Sequence, residues 1–113
     1  MQISMSNRTF QNIDEIFAYL SNISDNYANK IVSNIYDTIN KSKDFPYIGR
    51  YVPELSDKHY RERICNSYRI IYFVSEFYKT IFIRYIFSGK QNSNLFFKVH
   101  KDELINFSNK ILF

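Results

Sequence analysis

The sequence predicts an α+β domain in which an N-terminal helical hairpin packs on a twisted antiparallel β-sheet of three to four strands. Three observations lead there. Apolar residues recur at helical spacing from Asn7 to Ile39. Pro46, Gly49 and Pro53 then interrupt that period, and the runs between Arg61 and Phe87 are rich in β-branched and aromatic side chains. Helices followed by strands, rather than alternating with them, is the order of an α+β architecture.

The first helix is read over Asn7 to Leu20, where Phe10, Ile13, Ile16, Phe17 and Leu20 share one face and Ser6 offers an N-cap. Ile3 to Met5 ahead of it reads as a short opening strand. A second helix starts at Ser24 or Asp25, either of which can cap, and carries Tyr27, Ile31, Ile35 and Ile39 every four residues. In "KDFPYIGRYVPEL" the prolines cannot donate to a helix and Gly49 permits turn dihedrals. The strands then follow as "RERICN", "YRIIYFV" and "TIFIRYIF", the last two joined by the polar link "SEFYK". Residues 1–92 form the main domain. Residues 93–113 are a tail of the same compact unit, with Leu95–Val99 open to a strand and Glu103–Leu112 open to a helix presenting Leu104, Phe107, Ile111 and Leu112, with Phe113 beyond.

A chain of 113 residues with 45% hydrophobic content makes one globular domain. The start lacks the basic and apolar regions of a secretory leader, and no run reaches the length of a membrane span. A cytoplasmic protein with no membrane partner is the expectation, and the single Cys65 reads as a small buried hydrophobe. No cofactor or metal is implied, because no His/Cys/Asp/Glu cluster has ligand spacing.

Charge is segregated. Up to Gly49, Arg8, Lys30, Lys41 and Lys43 are outnumbered by Asp14, Glu15, Asp25, Asp37 and Asp44. From Arg50 to Lys98 the basic residues Arg50, Lys58, Arg61, Arg63, Arg69, Lys79, Arg84, Lys90 and Lys98 dominate. A one-sided basic excess suits a polyanionic partner. Alternate residues of a strand share a face, so Arg61 and Arg63 lie on the same side of theirs. Burying two guanidinium groups against the helices is costly, which assigns them to the sheet's open face, with Arg69 brought beside them by the adjacent strand. Arg69 also has a structural reading, in which it pairs with Glu54 or Glu62 and fixes the sheet.

Taken together, "IDEIFAYL", "ANKIVSNIYDTI", "FPYIGRYVPEL", "YRERICNSYRIIYFV" and "IFIRYIF" resemble the RelE/ParE superfamily of toxins from type II toxin-antitoxin modules, over about residues 3 to 92. The combination of Pro46, Gly49, Arg50, Arg61, Tyr68, Arg69 and Tyr72 in this order carries the likeness. The resemblance implies the same hairpin-on-sheet fold and a growth-inhibiting toxin neutralised by a cognate antitoxin protein. One branch cleaves messenger RNA on the ribosome without a metal, and another poisons DNA gyrase. Ribosome-dependent mRNA cleavage is the first expectation, gyrase inhibition the alternative, and an inactive homologue that only binds its antitoxin a third.

For the RNA-cleaving branch the resemblance implies a catalytic set of Arg61, Arg63, Arg69 and Lys90, with Arg84 joining them in contacting nucleic acid. Guanidinium groups suit this work because they offer paired donors to phosphate oxygens. The likeness breaks where that branch carries a further Arg and a Tyr, because "GKQNSNLFF" offers Gln91 and Phe97 instead. Other nuclease members use a His near the C-terminus, where His100 is the candidate. His59 beside the arginine strand reads as a solvated turn residue.

Overall fold

Serine side chains start both N-terminal helices. In the computed structural model, which describes residues 1–112, the Ser6 hydroxyl accepts from the Thr9 N–H to cap α1 (Asn7–Ser21), and the Ser24 hydroxyl accepts from the Tyr27 N–H to cap α2 (Asp25–Asp44). Asp25 occupies the first turn of α2, and Lys41 and Lys43 the last, both favourable for the helix dipole. The helices present Ile13, Ile16, Leu20, Ile31, Ile35 and Ile39 to one side of the sheet. No described helix is long and apolar enough to cross a membrane.

The sheet contains five strands rather than the expected three to four: β1 (Gln2–Met5), β2 (Arg50–Tyr51), β3 (Tyr60–Cys65), β4 (Tyr68–Ser75) and β5 (Thr80–Ser88). Their spatial order is β1-β5-β4-β3-β2. The opening strand adds to the edge as a parallel neighbour of β5, so the sheet is mixed rather than wholly antiparallel. β2 has two residues between two prolines, too few to show any period. The β3–β4 turn is closed by Asn66, whose φ of 55° is a left-handed conformation that asparagine tolerates.

The register shifts between Ile71 and Tyr72, which face Tyr85 and Ile83, so Arg84 bulges out of the β4–β5 ladder. The Ser6 hydroxyl donates to the Arg84 carbonyl at 3.0 Å, and the Thr9 hydroxyl donates to the Ile83 carbonyl at 3.0 Å. These bonds tie the start of α1 to the central strands.

The second face of the sheet is not open. A third helix, α3 (Ser93–Leu112), lies across it, with the Asn92 side chain accepting from the Leu95 N–H at the helix start. Phe96, Phe97 and Leu104 bury against Tyr60, Ile71, Phe73, Tyr85 and Phe87, forming a core separate from the one under the hairpin. Leu95–Val99 is therefore helical rather than a strand, and the helix begins ten residues before the expected Glu103. The register of apolar contacts explains both corrections. Phe96 and Phe97 point to the sheet while Leu95 and Val99 face solvent, a pattern in which neither period is clean. Leu112, expected on the apolar face, is exposed, and Phe113 lies outside the described residues.

Candidate functional site

Strand pairing decides where the arginines go. In the β3–β4 ladder Arg61 faces Tyr72 and Arg63 faces Ile70, both members of the core beneath the helical hairpin. Glu62 faces Ile71 and Ile64 faces Arg69, on the side covered by α3. Arg61 and Arg63 thus share a face as expected, but it is the hairpin face, and Arg69 lies on the opposite one. The expected cluster on an open face does not form. Arg84 is also separate: it pairs with Glu103 of α3, and its guanidinium lies 3.9 Å from the Phe107 ring. Lys90 is exposed in the turn after β5, lining a cleft with Arg8, Gln91 and His100 that contains none of the predicted arginines.

Arg69 is held in a chain of alternating charges. Its Nη1 and Nη2 each donate to Glu54 at 2.8 Å, its Nε donates to Glu62 at 3.1 Å, and its Nη2 also reaches Glu62. Arg50 donates from Nε to the other Glu62 oxygen at 2.8 Å. Glu62 is 1% exposed and Arg69 7%, so both charges are withdrawn from water and stand only because each is paired. The Phe87 and Phe97 rings pack on the Arg69 guanidinium at 5.1 and 5.4 Å. Phe97, at the position where the nuclease branch carries a Tyr, is thus part of the wall that buries Arg69. This is the structural pairing that the sequence offered as the alternative for Arg69.

The linker between α2 and β3 is stitched to the sheet by the residues that carry the family likeness. The Tyr72 hydroxyl donates to the Pro46 carbonyl and accepts from the Gly49 N–H, each at 3.0 Å. Arg61 donates from Nη1 to the Gly49 carbonyl at 3.0 Å and to the Tyr47 carbonyl at 3.3 Å. A Cβ on Gly49 would meet the Tyr72 hydroxyl at 2.4 Å and the Glu62 carbonyl at 2.5 Å, so any side chain there displaces the linker. Among the described residues no carboxylate pairs with Arg61 or Arg63.

His100 packs on the Tyr85 and Phe96 rings, and burial, reinforced by Arg8, pushes its pKa below the usual imidazole range. His59 is more than a solvated turn residue. Its Nδ1 lies 2.8 Å from an Asp57 oxygen, the Ser108 hydroxyl of α3 donates to the other oxygen at 2.5 Å, and its ring stacks on Phe73. Ser108 is 51 residues from Asp57 in the chain, so no local motif announced this arrangement.

Two carboxylates here have depressed pKa values. The Arg69 hydrogen bonds hold Glu54 down. For Asp57, burial pushes upward, but the bonds from Ser108 and His59 outweigh it and leave the pKa below normal. A depressed carboxylate contributes stability that is present above its unfolded pKa and lost as pH falls through the folded value. Urea midpoints are therefore expected to hold at neutral pH and decline below about pH 4.5, the ordinary carboxylate value. Glu54→Gln should flatten part of that decline, and an unchanged pH profile in this variant would contradict the pairing.

No curated protein matches the sequence. Among solved structures, the chain is similar to one described as "Chromosomal ParDE TA system from P. aeruginosa", with a TM-score of 0.64 and 19% identity over 78% of this chain and 95% of that one. At that identity the likeness is one of fold. The family described as "ParE toxin of type II toxin-antitoxin system, parDE" matches residues 3–93, from the opening strand to the first residue of α3. That span includes the stitched linker, the buried charge network and every strand but the first residue of β1, and it places the chain in the ParE toxin family of type II toxin-antitoxin systems.

Proposed function

We propose that this chain inhibits growth by binding a protein target, DNA gyrase, rather than by cutting messenger RNA. The observation that carries this reading is the engagement of Arg69. All three guanidinium nitrogens already donate to Glu54 or Glu62. A phosphate arriving there would meet two carboxylates around one cation, and displacing them would strand buried charge. Phosphoryl-transfer chemistry needs cations converging on the scissile group. Arg61 and Arg63, Arg69, Arg84 and Lys90 instead occupy separate parts of the surface and interior. Gln91 and Phe97 at the positions of the nuclease Arg and Tyr support the same reading.

Cleavage of mRNA on the ribosome is the second reading, favoured by the absence of carboxylate partners for Arg61 and Arg63 among the described residues. The test is induction in bacteria with pulse labelling of DNA and protein synthesis, alongside a folded Arg61→Ala/Arg63→Ala variant. DNA synthesis is expected to fall first while translation continues. An early stop in translation that the double substitution abolishes would move the assignment to mRNA. Growth without any defect would leave a homologue that only binds its antitoxin.

A further inference from the structure

At the end of the sheet away from the β3–β4 turn, the linker, the β4–β5 turn and the last turn of α3 line an open cavity of about 660 Å³. That volume lies within the range of small-ligand sites, roughly 300–1,000 Å³. Its wall combines two chemistries. Among the described residues the cations lining it are Lys58, Arg61 and Lys110, and the carboxylate lining it, Glu76, already accepts from the Tyr47 hydroxyl and pairs with Lys79. The described wall therefore carries a net positive charge. Four aromatic rings join them, Tyr47 and Tyr51 from the linker side and Phe77 and Tyr78 from the β4–β5 turn, with Val74, Ile111 and Leu112 adding aliphatic surface.

Arg61 is arranged in advance for a ligand. Its guanidinium carbon lies 4.0 Å from the Tyr51 ring and 5.2 Å from the Tyr47 ring, and the carbonyls of Tyr47 and Gly49 fix its Nη1. Its Nε is buried and has no hydrogen-bond partner among the described residues. Leaving such a donor unpaired is costly, and a shift of the guanidinium toward an acceptor in the cavity would relieve it. Phe77 is 85% exposed at the turn, although nothing in the fold requires a large ring there. Planar rings in a positive groove select a ligand that is both flat and anionic.

We propose that this cavity binds single-stranded nucleic acid, with an unstacked base against Tyr51 and Phe77 and the adjoining phosphodiester on Arg61, Lys58 and Lys110. His59, held through Nδ1 by Asp57, lines the same cavity beside the phosphate position. An acidic peptide would satisfy the cations but leave the rings without planar partners, so the nucleic acid is the better match. The site shares Arg61 with the set that the RNA-cleaving branch implies but excludes Arg63, Arg69, Arg84 and Lys90. It goes beyond the gyrase reading and does not rest on it.

The test is fluorescence anisotropy of the purified full chain with short labelled oligonucleotides of mixed sequence, as single-stranded RNA, single-stranded DNA and duplex DNA. Binding is expected for one or both single strands, more weakly for the duplex, and falling as salt rises. Tyr51→Ala should weaken it about tenfold, within the range for loss of one base-stacking ring, while Tyr51→Phe retains it. Lys110→Ala should weaken it and reduce its salt dependence, whereas Lys30→Ala, on the outer side of α2, should leave it unchanged. Absence of binding at low salt, indifference to Tyr51→Ala, or full displacement by a polyglutamate peptide at equal charge concentration would each overturn the proposal. The first of these results would mark the cavity as empty of nucleic-acid function, and the last would mark it as a site for acidic peptides.

Discussion

Replacing Arg69 with methionine is expected to lower stability by about 3–5 kcal/mol, because it strands the buried Glu62 carboxylate with only the exposed end of Arg50 for a partner. Total stabilities of small domains run at about 5–15 kcal/mol, so this one change would consume a large part of the margin. The urea midpoint measures it. A second substitution separates charge from contact: adding Glu62→Leu removes the stranded carboxylate and should recover much of the loss, since apolar replacement of a whole buried pair is often neutral. Arg69→Lys should be costly too, because an ammonium cannot span Glu54 and Glu62 with the fixed fork of a guanidinium. If Arg69→Met left the midpoint unchanged, the network would not be structural. A consequence follows for growth assays. Loss of toxicity on substituting Arg69 carries no information about chemistry unless folding is measured in the same variant.

The second large effect concerns α3. A chain ending at Asn92 retains nearly all of the span that matches the ParE family, yet is expected not to fold cooperatively. Removing the helix uncovers Tyr60, Ile71, Phe73, Tyr85 and Phe87, and forfeits the burial of Phe96, Phe97 and Leu104. Burying each such side chain contributes about 1.5–3 kcal/mol, so the three together approach the whole stability of a small domain. The truncation also removes the Leu104 carbonyl that accepts from the buried Tyr60 hydroxyl at 2.6 Å and the Ser108 hydroxyl that holds Asp57. Leu104→Ala offers a milder form, with an expected cost of about 2–5 kcal/mol. Size-exclusion and thermal unfolding of the truncated chain measure the first, and a sharp transition near that of the full chain would show that α3 only decorates the sheet.

Much of the fold was legible because its signals are local. Ser6 and Ser24 cap the helices they precede, and the apolar period of α1 and α2 marks the face that packs. What the sequence did not reveal depends on pairing. Alternation puts Arg61 and Arg63 on one side of β3, but the face they share follows from the neighbours they meet across the ladder, Tyr72 and Ile70. The opposition of Ile64 to Arg69, which sends Arg69 to the other face, is a matter of register. The first half of α3 was ambiguous because Phe96 and Phe97 are adjacent and both buried, with Leu95 and Val99 left in solvent. The five strands were undercounted because β2 has only two residues, so its place is set by the Gly49, Tyr72 and Arg61 contacts rather than by any period of its own. The aromatic cavity was invisible because its walls come from three distant segments.

The central claim is that the arginines resembling a nuclease cluster hold this fold together or stand apart, and that toxicity needs no phosphate held on Arg69. The most direct measurement is growth inhibition by a variant in which the inner charges are replaced together, Arg69→Met/Glu62→Leu/Glu54→Gln, chosen for cooperative unfolding close to that of the parent. Toxicity equal to the parent's, with DNA synthesis again failing first, is the expected result. A folded triple variant that no longer inhibits growth would contradict the claim and assign Arg69 a direct part in the toxin's action.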